Sequence, residues 1–266
     1  MGAGPLHLIE AGLEATMRDE HHQVSTEVIE AQTDFLSENK TAFELYQRLS
    51  MRVQAAREDG AFPIILSGNC GAALGAMSGL SAEQSGLLWF DTHGDFNTPE
   101  TSTSGFLDGM GLAVLAGLCW QPLAATIPNF APLPDTHIIH LGGRDFDAAE
   151  QHLLEQSDIS VLTAGVVQQP DGEMTVRAAF DRLRTKVERV YIHFDVDVLD
   201  TSIAPANQFA FAGGLDTAQV ETLFRLIADR FAISGVGFSA YDPAYDQEDR
   251  MAQTVFQLTK HILALQ

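Results

Sequence analysis

The chain has 266 residues, 45% of them hydrophobic, with 36 acidic against 15 basic side chains and a net charge of -21. That charge excludes nucleic acid, whose phosphates need Lys and Arg to neutralise them, and an anionic membrane surface as partners; it suits a small-molecule substrate of cationic character or a divalent metal. Two cysteines make no disulfide framework, and neither a signal peptide nor a bilayer-length apolar run is read in the sequence, so a cytoplasmic enzyme or binding protein is expected.

Along the chain, Asn39 to Asp59 is predicted to form a long helix. Phe62 to Leu66 reads as an apolar strand and runs into a glycine-rich segment, Ser67 to Gly75. Leu87 to Phe90 is the next strand, Thr136 to Leu141 a third, and Ile159 to Leu162 a weaker fourth. Val176, Phe180, Leu183 and Val187 share one helical face. Val190 to Phe194 is a strand, and Val220, Leu223, Phe224, Ile227 and Phe231 mark another helix, started by a capping box at Asp216 and Gln219. Ile233 to Phe238 is the last strand and Gln247 to Leu265 the last helix. The continuous apolar strands argue for burial on both faces, as in a parallel sheet. Alternation of strand and helix without a linker predicts one domain over residues 1–266, of the α/β class, with three α/β/α layers. In such sheets chemistry sits beyond the carboxyl ends of the strands.

Two acidic phrases lie at those ends. In DTHGDFNTPETSTSG, Asp91, His93 and Asp95 alternate, so on extended backbone they share one face. Far along the chain another strand ends in Asp195-Val196-Asp197. Alone, either phrase reads equally as turn formers or helix caps. Together, four carboxylates and one imidazole would repel unless a cation neutralised them. Oxygen-rich ligation with some imidazole suits Mn(II) best, with Zn, Ni, Co and Fe(II) not excluded. Bridging carboxylates would allow two ions about 3.5–4 Å apart. Cys119, in an apolar stretch, reads as packing. His193 shares parity with Asp195 and reads as strand packing; His137 and His140 show no partners in sequence, and His21-His22 reads as solvated. Gly68, Gly71 and Gly75 do not make a dinucleotide fingerprint, because no following strand ends in an acid with the right role.

The phrase DTHGDFNTPETSTSG resembles the second metal motif of the arginase (ureohydrolase) family, and HFDVDVLDTSIAPANQFAFAGGL resembles the third. SGNCGAALG stands in place of the first, and LGGRDFDAAE is similar to the Gly-x-Arg-Asp segment between them. The resemblance covers nearly the whole chain. It implies a three-layer fold with a central parallel sheet, two Mn(II) ions, homo-oligomers (trimers or hexamers), and hydrolysis of guanidino, formimino or related C–N bonds by metal-bound hydroxide. It makes Asp91, His93, Asp95, Asp195 and Asp197 the metal ligands. Asp91 and Asp195 would bridge, Asp95 and Cys70 would hold one ion, and His93 and Asp197 the other. Asn97 and Ser104 match positions that hold the substrate's amino-acid end, and Asp200 matches an acid behind the ligands.

Four departures qualify the match. Cys70 stands where the family's first motif has a ligating His; it is a softer ligand or an inert buried thiol. Asp108 replaces a proton-shuttling His, and either serves as a proton carrier or caps a loop; Asp108 or Asp95 would return the proton to the leaving nitrogen. Ala240 falls where a Glu grips the guanidinium, leaving Asp242 or Asp246 as substitutes. The chain also opens at the Gly-x-x-x-Gly-Pro-like turn, so the family's first strand is expected to be missing. Two other readings stay open: a single-metal amidohydrolase of the related deacetylase type, using Asp91, His93 and Asp195, and a catalytically impaired relative that keeps its metal for folding or assembly.

Overall fold

A computed structural model of the chain describes residues 1–81 and 85–266. Strands β1 (Ile64–Leu66), β2 (Ser85–Phe90), β3 (Ile138–Leu141), β4 (Ser160–Leu162), β5 (Arg189–Asp195) and β6 (Ala232–Ser239) form a six-stranded sheet in the order β1-β6-β5-β2-β3-β4. Every pairing is parallel. No strand precedes β1 among the described residues; the chain enters through two short helices instead, α1 (Gly4–Glu10) and α2 (Leu13–Asp19).

Then follow α3 (Glu38–Glu58), α4 (Ala72–Leu80), α5 (Gly111–Leu115), α6 (Gln121–Ala124), α7 (Ala148–Gln156), α8 (Ala164–Val167), α9 (Gly172–Arg184), α10 (Thr217–Ala228) and α11 (Arg250–Leu263). Strand side chains alternate between two core layers, as pleating requires. Leu88, Phe90, Ile192 and Phe194 face α1, α2, α9, α10 and α11. Leu87, Trp89 and Tyr191 face α3, α4 and α5. The result is the expected three-layer α/β/α arrangement. Gly71 and Gly75 belong to this packing: a Cβ on Gly71 would lie 2.1 Å from the Tyr46 hydroxyl, and one on Gly75 would lie 2.6 Å from the Tyr46 carbonyl oxygen. No described helix is long and apolar enough to cross a membrane.

Register levels the strand ends. Leu66 pairs with Phe238, Phe238 with Phe194, Phe194 with Phe90, and Phe90 with Leu141. The next residues along, Ser67, Ser239, Asp195 and Asp91, therefore start their loops side by side. Small corrections apply at element ends. Thr136 and His137 belong to a 3-10 turn before β3, and Val187 and Phe231 follow their helices instead of closing them, although both stay buried. The capping box at Asp216 and Gln219 is formed as expected.

Phe224 of α10 meets Phe90 at 5.7 Å and Phe194 at 5.9 Å, both edge to face, and is fully buried. Phe224→Ala is expected to lower the unfolding free energy by about 3–5 kcal/mol in urea denaturation; a loss below about 1 kcal/mol would mean that this layer is loosely packed.

Candidate metal centre

Asp91 and Asp195 are the hinge points of the site, at the ends of adjacent strands β2 and β5. The premise of extended backbone from Asp91 to Asp95 does not hold. The chain bends immediately after β2, and Asp95 sits at φ 48°, a left-handed conformation that Asp tolerates better than most residues. Convergence comes from turns. The His93 N–H donates to Asp91 Oδ1 at 2.8 Å, and the Asp197 N–H donates to Asp195 Oδ1 at 2.8 Å. Each first carboxylate thus folds its own loop back, which brings His93 and Asp197 together: His93 Nδ1 lies 3.4 Å from Asp91 Oδ1 and 3.5 Å from Asp197 Oδ2.

The inner wall is drier. Cys70, in the turn after β1, donates its thiol to Asp195 Oδ2 at 2.9 Å. Its sulfur lies 3.3 Å from Ser239 Oγ, which is 3.5 Å from His193 Nε2. Two groups of ligand atoms result among the described residues, each with its atoms within 4.8 Å of one another: Cys70, Asp91 and His193, and Asp91, His93 and Asp197. Asp91 belongs to both. Asp95 Oδ2 is buried with no hydrogen-bond partner. Orphaned carboxylate oxygen, crowded acids and available imidazole and thiol are a donor set that fits divalent ions.

The electrostatics agree. Burial, then the charges of Asp91, Asp108, Glu150 and Asp195, push the Asp95 carboxyl well above its ordinary range. Burial and the charges of Asp197 and Asp91 do the same to Asp195, and burial and Asp91 raise Asp197. For Asp91 burial also opposes ionisation, but the hydrogen bond and charge of His93 win and hold it low. His93 is pushed to about 9: burial works against its cation, and Asp91 and Asp197 overcome it. Burial raises the Cys70 thiol well above its usual value, helped by Asp195.

Other predicted residues have defined places. Asp108 accepts from the Gly71 N–H at 3.0 Å and from Asn69 Nδ2 at 2.9 Å, which fastens the Cys70 turn; burial brings it to about 6. Asn97 donates to Asp147 Oδ2 at 3.1 Å and accepts from Thr101 Oγ1 at 2.9 Å. Ser104 lies exposed, accepting from the Phe106 N–H at 3.2 Å. Asp200 accepts from the Gly213 and Gly214 N–H groups and so anchors the Gly-Gly-Leu loop. Ala240 is buried at φ 61° and brings no charge. Asp242 is engaged by the Met1 ammonium at 2.9 Å, and Asp246 by the Tyr241 hydroxyl and the Ala252 N–H.

Several contributors carried no signal in sequence. Asn207, buried, donates to Asp197 Oδ2 at 3.3 Å and to the Ala240 carbonyl at 2.8 Å. Thr92 donates its hydroxyl to the Asp197 carbonyl at 2.6 Å. Glu150 accepts from the Phe96 N–H at 2.8 Å. His140 shows no partner in sequence; in the fold its Nε2 lies 2.6 Å from the His93 carbonyl oxygen. Phe209 meets His93 edge-on at 6.4 Å and packs on Phe106 at 6.2 Å, an aromatic lip at the mouth.

The arginase family model matches residues 2–264. The arginase of Bacillus caldovelox is 28% identical over 222 residues, covering 82% of this chain and 74% of that protein. Its native crystal structure superposes with a TM-score of 0.85 at 26% identity, covering 98% of this chain and 91% of that one. The cold-adapted arginase of the yeast Glaciozyma antarctica gives a TM-score of 0.79 at 27% identity, covering 98% and 90%.

An acid whose folded-state pKa lies above its unfolded value binds more protons folded than unfolded, so the stability it removes grows as pH rises from about 4 through the folded value. Asp95, Asp195 and Asp197 shift in that direction, as do Asp108, to about 6, and Glu150, to about 7. Buried neutral His140 and His193, both shifted down, oppose that slope below their ordinary range, so the informative readout is the metal increment. The rise in melting temperature on adding Mn(II) to chelated protein is expected to be larger at ~pH 7.5 than at ~pH 5. Equal increments would mean that these acids hold no ion.

Proposed function

The chain belongs to the arginase family and is a metal-dependent hydrolase of the C–N bond of linear amidines, and on that premise we propose a binuclear centre built from both ligand groups. The observation that carries this is Asp91, whose oxygens belong to the inner and the outer group at once. Asp195 would be the second bridge, Cys70 and Asp95 would hold the inner ion, and His93 and Asp197 the outer one. Mn(II) suits the outer, oxygen-rich group; Zn, Ni or Co suit a group containing a thiol. Bound there, the ions would lower the pKa of a water enough for it to act as nucleophile near neutral pH.

The chain's own residues do the rest. Thr92, Asn207 and the turn at Asp195 fix Asp197 from three sides. Asp108, brought by burial to about 6, and Asp95 are the acids proposed to return a proton to the leaving nitrogen. Asn97 and the exposed Ser104 are proposed to receive a polar substrate end, while Asp242 is taken up by the Met1 ammonium. Ala240 offers no carboxylate to a guanidinium, which favours formimino and related substrates over arginine itself. Attraction of a cationic substrate by the acidic surface, homo-oligomeric assembly and a cytoplasmic setting complete the proposal.

Metal-loaded protein is tested against guanidino, formimino and N-acyl substrates. Guanidino cleavage releases urea and an amine; formimino cleavage releases formamide and an amine. One of these two products is expected, and His93→Ala should lower kcat/KM about 100-fold or more while removing one ion per chain. Turnover of N-acyl substrates alone, with one ion per chain, would favour the single-metal amidohydrolase reading. Inertness across all three at full metal loading would favour the catalytically impaired one.

A further inference from the structure

We propose that His193 is a ligand of the inner ion, forming with Cys70, Asp91 and Asp195 a thiolate, imidazole and carboxylate set that selects Zn(II) or Co(II) over Mn(II). The inference rests on the binuclear reading and concerns its inner half, in which His193 takes the ligand position given there to Asp95. The imidazole that the Cys70 turn does not supply comes instead from strand β5.

Placement follows from the sheet. Register sets His193 opposite Trp89, and pleating points both toward the layer that holds Cys70. The His193 ring stacks on the Trp89 indole at 3.7 Å and 26°. Trp89 Nε1 donates to Asp91 Oδ2 at 3.1 Å, so one indole fixes both the imidazole plane and the shared carboxylate. Parity along β5 puts His193 on the same side as Asp195, whose Oδ2 is 2.9 Å from the Cys70 sulfur. Ser239 Oγ contacts that sulfur at 3.3 Å and His193 Nε2 at 3.5 Å, which measures how near the two donors stand. Ligand atoms of Cys70, Asp91 and His193 already lie within 4.8 Å of one another. In a tetrahedral zinc site, bonds of about 2.0 Å to nitrogen and about 2.3 Å to sulfur space the ligand atoms by roughly 3.3–3.7 Å, so closing the site takes side-chain movement of about 1 Å or less. A structural histidine would fill its strand position equally well, but stacking alone does not explain why a ring nitrogen lies within 4.8 Å of both a thiol and a carboxylate.

Softness then sorts the metals. The inner group is sealed, with Cys70, Asp91, His193 and Asp195 each no more than 3% exposed, and its sulfur favours Zn(II) or Co(II). The outer group keeps one imidazole and oxygens at the mouth, a set suited to Mn(II). The centre would hold two different ions.

The test uses the full-length protein loaded with one equivalent of Zn(II) or Co(II). His93→Gln, which disables the outer group, should leave zinc bound with an X-ray absorption shell containing one sulfur at about 2.3 Å and an imidazole. With cobalt it should show a thiolate charge-transfer band that Cys70→Ser abolishes. His193→Gln should weaken zinc binding at least about tenfold and alter the cobalt spectrum while Mn(II) still binds at the mouth. A zinc shell without imidazole in His93→Gln overturns the assignment, whether or not His193→Gln folds. Unchanged zinc affinity and cobalt spectrum in a folded His193→Gln protein overturn it as well. Failure of the wild-type protein to retain any divalent ion would overturn the binuclear reading itself, a distinct result.

Discussion

Asp91, Asp95, Asp108, Asp195 and Asp197 are buried together beyond the ends of β2 and β5, where the charge of Asp91 makes it costlier for the other four to ionise. No Lys or Arg side chain pairs with them among the described residues. The guanidinium of Arg144, close by, is spent on carbonyl groups of Asp197, Phe211 and their neighbours. His93 is the cation the site does have, and it stands at the mouth. Gathering acids in this way without Lys or Arg partners costs stability, and a divalent ion relieves that cost most directly. Metal binding, the pH response of stability and the catalytic capacity of the centre are therefore one electrostatic problem.

The sheet supplies the rigidity that problem requires. Because all six strands are parallel and the row from Leu66 to Leu141 is in register, five loops leave the same end of the sheet together. Residues on rigid strand ends hold ligand positions better than residues on free loops. Asp91 and Asp195, at the ends of β2 and β5, each accept a hydrogen bond from the backbone N–H two residues on, so both ligand loops are shaped by their own ligands. Loss of Asp91 or Asp195 would therefore remove both a donor atom and the turn that places the next one.

Much of this was legible in the chain. The apolar strands, the layer order and the pairing of the Asp91 and Asp195 phrases follow from patterning, since buried parallel strands and their polar ends leave a strong local signal. The route from Asp91 to Asp95 was misread as extended, because period-two spacing does not distinguish a strand from a tight bend with a left-handed residue. His193 and His140 were passed over for a different reason: strand parity gives a face, but the identity of the cross-strand neighbour depends on register. Asn207, Thr92 and Glu150 act as single residues from loops and a helix start, with no spacing to betray them. Asp242 and Asp246 looked like free carboxylates near Ala240, and tertiary contacts with Met1, Tyr241 and the start of α11 occupy them.

Asn207 ties Asp197 to the Ala240 corner. One amide donates to a carboxylate oxygen of Asp197 and to the carbonyl of Ala240, the position at which a charged grip on the substrate would stand. Ala240 holds a positive φ at the end of β6, so a larger side chain there would meet backbone strain as well as a crowded, buried site. Any change that reshapes this corner to accept a new substrate end pulls on the same amide that orients Asp197. Inserting an acid at position 240 would also add a further negative charge beside carboxylates that are already hard to ionise, and the divalent ions would have to balance it. In the proposed binuclear centre, with no acid at position 240, the ions and the surrounding dipoles would hold the substrate's amidine.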